Sequence, residues 1–165
     1  EIVKERFLWI SIILYHFLIT ILAKKGNLIM YVSTKPTIYL IDGLNLVRSF
    51  LYEFARTEEE VTADFLDFLA DISQDEHYAM HQYEVIFDGS FRPVGPLYRG
   101  GVHISFSEED SADQIIYERA DYLSQSGQRV IAVTDDRILQ ESLKKLGVKT
   151  LFCRKFYNGL KTFDK

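Results

Sequence analysis

Five aspartates in this 165-residue chain stand just after short apolar runs or at a helix start. Asp42 follows Thr37-Ile-Tyr-Leu-Ile41, Asp88 follows Tyr83-Glu-Val-Ile-Phe87, and Asp135 and Asp136 follow Val130-Ile-Ala-Val133 and Thr134. Asp113 lies inside Ser111-Ala-Asp-Gln114, a capping-box spacing that opens a helix. Carboxylates gathered in one dry cleft repel one another, so such a cluster calls for a cation. Hard divalent ions that prefer oxygen, Mg²⁺ or Mn²⁺, meet that need. An ion so held binds a phosphate oxygen, lowers the pKa of a water and stabilises the charge of an in-line displacement, which makes phosphodiester hydrolysis the natural reaction. Asn45, three residues after Asp42, would orient a water or a phosphate from the same loop or helix start. Each acid alone also has a plainer reading: Asp42 and Asp88 as turn residues before glycine, Asp113 at the positive end of a helix dipole, Asp135 or Asp136 as an N-cap. Their coincidence at one edge of a sheet favours the metal site.

Rival chemistries find little support. His77 and His81 share i,i+4 spacing without an HExxH context and read as a solvated helix end, and His103 stands apart. No serine lies in a G-x-S-x-G elbow, and neither GxGxxG nor GxxxxGK[ST] occurs. The single cysteine, Cys153, forms no internal disulfide and reads as a small apolar residue in a strand. Arg92, Arg99, Arg137, Lys144, Lys145, Arg154 and Lys155 are the cations that could meet a nucleic-acid backbone, and Arg92 and Arg99 beside Phe91 and Tyr98 make a mixture that suits single-stranded RNA. Nineteen Lys and Arg against 24 Asp and Glu give a net charge of −5, which excludes charge-driven binding of the histone kind.

The elements that must position these acids alternate. The run after Pro36 reads as a strand buried on both faces. Thr57-Glu-Glu-Glu60 is a capping box followed by apolar residues at helical spacing through Ile72. Strands follow at 83–87 and 102–106, then a helix whose apolar positions Ile115, Ile116, Tyr117, Ala120 and Leu123 stop at Gly127. A fourth strand at 130–133, a helix from Asp136 to Leu146 and a fifth strand from Val148 to Phe152 complete the pattern, with no firm assignment beyond Tyr157. Strands alternating with helices mean an α/β fold with a mainly parallel sheet of about five strands. Ligands of such sheets bind at the carboxyl ends of the strands, where the acids fall.

Residues 1–29 form a separate hydrophobic leader, and residues 30–165 the functional domain. Phe7 to Ala23 carries no charge and covers roughly 25 Å as a helix, the low end of what spans a bilayer. Three readings stand open: a membrane anchor, an upstream extension outside the working protein, with Met30 as the start, and a helix packed on the domain. The leader takes four of the cations and two of the acids, which leaves 15 against 22 and a charge of −7 from Met30 onward.

Four segments together resemble a known family. Ile41-Asp-Gly-Leu-Asn45, Ile86-Phe-Asp-Gly89, Ser111-Ala-Asp-Gln-Ile115 and Val133-Thr-Asp-Asp-Arg137 are similar, in order and spacing, to the signature segments of the NYN domain, YacP-like branch, relatives of the PIN-domain nucleases. The resemblance implies a PIN-like Rossmannoid three-layer α/β/α fold and a Mg²⁺- or Mn²⁺-dependent endoribonuclease, in a group with a ribosome-associated member that cuts messenger RNA. Carried over, Asp42, Asp88, Asp113 and Asp136 would bind metal with Asn45 as the accompanying amide. The family has Ser where this chain has Asp135, so Asp135 is an extra carboxylate beside Asp136, and the choice of ligand between the two stays open. The Asp88-Gly-Ser-Phe91 stretch departs from the pattern where relatives carry a small and then a basic or polar residue.

The expectation is therefore a metal-dependent endoribonuclease of single-stranded RNA, cytoplasmic and with the ribosome as the body presenting its substrate, or tethered to a membrane if the leader is an anchor. The alternative is a binding module of the same fold that recognises RNA or the ribosome and cuts nothing. A phosphatase lacks its DxDxT motif after the first strand, and a phospho-receiver lacks adjacent acids there.

Overall fold

A computed structural model describes residues 35–54 and 57–161, all within one compact unit, Tyr31–Lys165. The predicted leader lies outside the described residues; among those, no helix is long and apolar enough to cross a membrane.

The order is β1 (Ile38–Asp42), α1 (Gly43–Phe54), α2 (Glu58–Gln74), β2 (Gln82–Phe87), β3 (Tyr98–Arg99), β4 (Val102–Phe106), α3 (Ala112–Gln125), β5 (Val130–Val133), α4 (Arg137–Lys145), β6 (Lys149–Leu151) and α5 (Cys153–Lys161). The six strands run β3-β4-β2-β1-β5-β6, parallel throughout except for the two-residue edge strand β3. Strand β1 is central and buried along its whole length, as a continuous β-branched run requires. Alternate residues serve opposite layers: Tyr39 and Ile41 pack in one cluster with Leu46, Phe65 and Phe156 of α1, α2 and α5, whereas Ile38 and Leu40 pack in another with Ile116 and Leu143 of α3 and α4. The parallel α/β sheet expected from the alternation is formed, and helices on both faces give the three-layer α/β/α sandwich that the resemblance implies.

Helix α2 carries the full capping box, with the Thr57 hydroxyl accepting from the Glu60 N–H and the Glu60 carboxylate accepting from the Thr57 N–H. At α3 only half of the motif forms. Ser111 accepts from the Gln114 N–H, but the Gln114 amide donates to Glu118 instead of returning to the cap.

Two helices were not expected. The sequence passes from β1 to the Thr57 box without an assigned helix, yet α1 begins at once after Asp42. Its first residue must be glycine, because a Cβ on Gly43 would meet the Phe87 ring of β2 at 2.5 Å. The second is α5, which starts at Cys153. Cys153 is thus a buried helix residue rather than a strand residue, its apolar character unchanged. His81 also differs from expectation: it is 2% exposed, enclosed by the rings of Tyr39, Tyr78 and Tyr83, while His77 is solvated and paired with Asp75. The i,i+4 relation fails because the chain has already left α2 at Asp75.

One charge enters the α3 layer. Glu84 of β2 accepts two hydrogen bonds from Arg119 of α3, at 2.7 and 2.9 Å, in a bidentate pair. Arg119→Ala leaves a largely buried carboxylate unpaired, so a loss of about 1–3 kcal/mol is expected in urea denaturation. The double variant with Glu84→Ala recovers part of that loss, because both partners are then gone.

Candidate active site

Chain order reverses between β1 and β5: the connection from β1 leads to β2 on one side, and that from β5 to β6 on the other. Loops diverge there and open a crevice at the carboxyl edge. Four helices start at this edge, and an acid sits at the start of each. The Asp42 Oδ1 accepts from the Asn45 N–H of α1 at 3.0 Å; the Asp88 Oδ1 accepts from the Ala112 N–H of α3 at 2.8 Å. The Asp136 Oδ1 accepts from the Leu139 N–H of α4 at 2.8 Å, and the Asp135 Oδ1 from the Cys153 N–H of α5 at 2.9 Å. Capping explains the location of these acids, since each neutralises exposed donors at the positive end of a helix. It also fixes where their other oxygens lie.

Those oxygens divide the five acids into two groups. The second oxygen of Asp135 accepts from the Ser49 hydroxyl at 2.6 Å, which holds Asp135 toward α1 and α5. The second oxygens of Asp88 and Asp136 accept no hydrogen bond from the described residues. Asp113, in the first turn of α3, caps nothing, and among the described residues no donor reaches its carboxylate. Burial, and then the charges of Asp42, Asp136 and Asp88, raise its pKa above the ordinary 3.8. Asp42 is 3% exposed, and its pKa is likewise raised, by burial first, against the hydrogen bonds it accepts from Asn45 and Thr134; the charge of Asp88 adds to the rise. Asp42, Asp88, Asp113 and Asp136 therefore form one electrostatic group, and Asp135 stands apart from it.

Three side chains that hold this arrangement were not singled out from the sequence. The buried Thr134 hydroxyl donates to the Asp42 Oδ2 at 3.2 Å and accepts from the Asp136 N–H at 3.1 Å, so it ties the ends of β1 and β5 together. Ser107 accepts from the Gly89 N–H at 3.0 Å and donates to Asp88 at 3.4 Å, beside the positive φ of 81° at Gly89 that turns the chain. Ser49 holds Asp135. Thr134 stands inside the Val133-Thr-Asp-Asp segment and was legible there; Ser49 and Ser107 lie 86 and 19 residues from their partners, and nothing local marks them. Asn45 grips Asp42 twice, by its backbone N–H and by its side-chain amide, which makes it a positioning residue for that carboxylate.

The expected RNA-facing arginines separate. Arg99 is tied down, in an ion pair with Asp67 and hydrogen bonds to the carbonyls of Pro96 and Val94, so it braces its own loop and is not presented to a ligand. Arg92 lies over the rings of Phe87 and Phe106 at 5.2 and 5.5 Å and donates to the Asp88 carbonyl, next to the acids. Arg137 is exposed at the start of α4.

The family profile of the YacP-like NYN domain matches residues 39–165, which takes in every element above except the first residue of β1. The chain belongs to the YacP-like NYN domain family. Membership makes it a nuclease-type α/β domain of RNA-binding character. Two crystal structures of Rae1 (YacP) from Bacillus subtilis share the fold. One, of a point mutant, aligns with a TM-score of 0.59 at 21% identity over 76% of this chain and 74% of that one; the other gives 0.55 at 22% over the same shares. No protein of curated function matches the sequence. In this YacP-like NYN domain the donor set at the crevice is all oxygen, which fits Mg²⁺ or Mn²⁺. Among the described residues no three His, Cys, Asp or Glu side chains close into a cage.

Proposed function

We propose that this domain is a divalent-metal-dependent endoribonuclease acting on single-stranded RNA, with Asp42, Asp88, Asp113 and Asp136 holding Mg²⁺ or Mn²⁺. The observation that carries the reading is the Asp113 carboxylate, partly buried, given no donor by the described residues and with its pKa raised by burial and by the charges of Asp42, Asp136 and Asp88. A helix dipole alone accounts for an exposed acid in a first turn, but not for one whose pKa burial and three neighbouring acidic charges raise. The bound ion would lower the pKa of a water and stabilise charge on the phosphate. The chain's own part is to aim Asp42 through Asn45 and Thr134, and to hold Asp88 and Asp136 by one oxygen each while the other accepts no hydrogen bond from the described residues. Asp135 serves as the cap of α5, and Asp136 takes the ligand role in that pair.

The test is incubation of the chain with single-stranded RNA in Mn²⁺, in EDTA, and as Asp42→Asn. Cleavage dependent on metal and lost in the variant supports the reading, whereas RNA binding unaffected by EDTA with no product favours the non-catalytic module. The lack of a closed three-ligand cage is what keeps that second reading in view. The charge of −7 from Met30 onward works against unaided affinity for RNA, so we further propose that the ribosome presents the substrate in the cytoplasm. Co-sedimentation with ribosomes from a lysate checks this.

The raised pKa of Asp113 has a thermodynamic consequence. An acid whose folded pKa lies above its unfolded value makes the native state bind more protons in between, so stability falls as pH rises through that window and stays lowered above it. In EDTA at neutral pH, Asp113→Asn is therefore expected to melt above wild type, by about 1–2 °C for a group this exposed. Scanning calorimetry checks the sign. Below the ordinary carboxylate range the two proteins should converge, because wild-type Asp113 is then neutral in both states.

A further inference from the structure

We infer that the groove between α3 and α4 seats the RNA strand next to the scissile phosphate, with Tyr117 and Ile138 against a base and Lys145 on a phosphate. This rests on the nuclease reading and specifies where its substrate lies. The groove measures about 450 Å³ and runs from Asp113 past Gln114, Tyr117 and Ile138 to Ser142 and Lys145. One end is thus an acid of the crevice. The other lies along α4, whose cap Asp136 and final residue Lys145 are nine positions apart, about 13 Å.

The walls have the composition of a nucleotide site. Most apolar residues of α3 and α4 face the sheet, but Ile138 is 79% exposed, Tyr122 64% and Tyr117 37%, and of these Ile138 and Tyr117 line the groove. Tyr117, expected on the core face, opens onto the groove instead. Single exposed apolar residues are common on any surface. Here two of them line one groove that also carries a cation. The polar lining is largely spent internally, the Gln114 amide on Glu118 and the Ser142 hydroxyl on the Ile138 carbonyl. What remains for a ligand is a ring, an aliphatic side chain and an ammonium group, which match base, sugar and phosphate. Arg137, Lys144 and Lys145 outnumber Glu141 on α4, and none of the three forms an ion pair among the described residues, in a protein that is acidic as a whole.

The experiment measures kcat and KM in Mn²⁺ on a single-stranded RNA for wild type, Tyr117→Ala, Tyr117→Phe, Ile138→Ser and Lys145→Glu, with thermal melts of each. Tyr117→Ala and Lys145→Glu are expected to raise KM about tenfold or more, the size of one lost stacking or phosphate contact. Tyr117→Phe keeps the ring and should keep the wild-type KM. The exposure of Ile138 keeps Ile138→Ser folded, so a raised KM there reports contact and not damage. Photocrosslinking of 5-bromouridine RNA to Tyr117 gives a reading independent of rate. Wild-type cleavage with every KM within twofold overturns the groove while leaving the nuclease reading intact. A loss carried by kcat alone, or a protein partner that competes with no RNA at this groove, overturns it as well. A wild-type protein that cleaves nothing in any divalent metal overturns the reading beneath it, and the groove falls with it.

Discussion

Replacing Asp42 by Asn is expected to lower Mn²⁺-dependent RNA cleavage by at least about 10²–10³-fold, the scale set by losing one preorganised electrostatic contact to the developing charge. The side chain keeps its shape, and its carbonyl oxygen still accepts from the Asn45 N–H. The charge is gone from a position 3% exposed, where burial already disfavours it. That relief is offset by the loss of the hydrogen bonds that the other oxygen accepts from the Asn45 side-chain amide and the Thr134 hydroxyl, so stability in EDTA should change by no more than about 1–2 kcal/mol. The metal response separates the two proteins further. At a concentration of 100 Kd an ion bound only by the native state adds about 2.7 kcal/mol, so the wild-type melt should rise on addition of Mn²⁺ and the variant melt should not. Single-turnover cleavage and parallel melts with and without Mn²⁺ check both halves. Full activity in Asp42→Asn would remove Asp42 from the chemistry and leave it as the cap of α1 alone.

The second large effect concerns the fold. Phe156→Ala in α5 should cost about 3–5 kcal/mol in urea denaturation, through the lost transfer energy of the ring and the cavity left behind. Phe156 is fully buried, 5.3 Å from the Tyr39 ring of β1 and 6.5 Å from the Tyr83 ring of β2, so no solvent can refill the space. The same helix receives its cap from Asp135. A cost below about 1 kcal/mol would mean that α5 packs only peripherally and that Asp135 caps a dispensable element.

Much of this architecture was legible because it rests on local signals. Continuous apolar runs ending in Asp marked β1, β2 and β5. The Thr57 box marked α2, and Gly127 and Gly147 closed the helices around β5. The edge strand β3 was not legible, since Tyr98 and Arg99 pair with Val102 and His103 through a turn and show no alternation of their own. Helix α1 escaped because glycine at its first position reads as a turn, and only the approach of Phe87 shows why glycine stands there. Helix α5 escaped because its apolar positions fall in a polar segment at the end of the chain, and their partners Tyr39 and Tyr78 are about 80 or more residues away.

At the crevice the sequence by itself determined residue type and edge: acids directly after parallel strands must gather where the strands end, because every parallel strand delivers its carboxyl end to the same side. It determined the family as well, through the spacing of four short segments. Only the tertiary structure decided which acids face one another. Asp135 and Asp136 are neighbours with the same side chain, yet Ser49 and the Cys153 N–H hold one toward α5 while the other caps α4 and its charge raises the Asp113 pKa. The fates of Arg99 and Tyr117 were decided the same way, one by Asp67 of α2 and the other by the gap between α3 and α4. A side chain's direction depends on partners that the chain brings in from far along its length, and the order of residues near it carries no record of them.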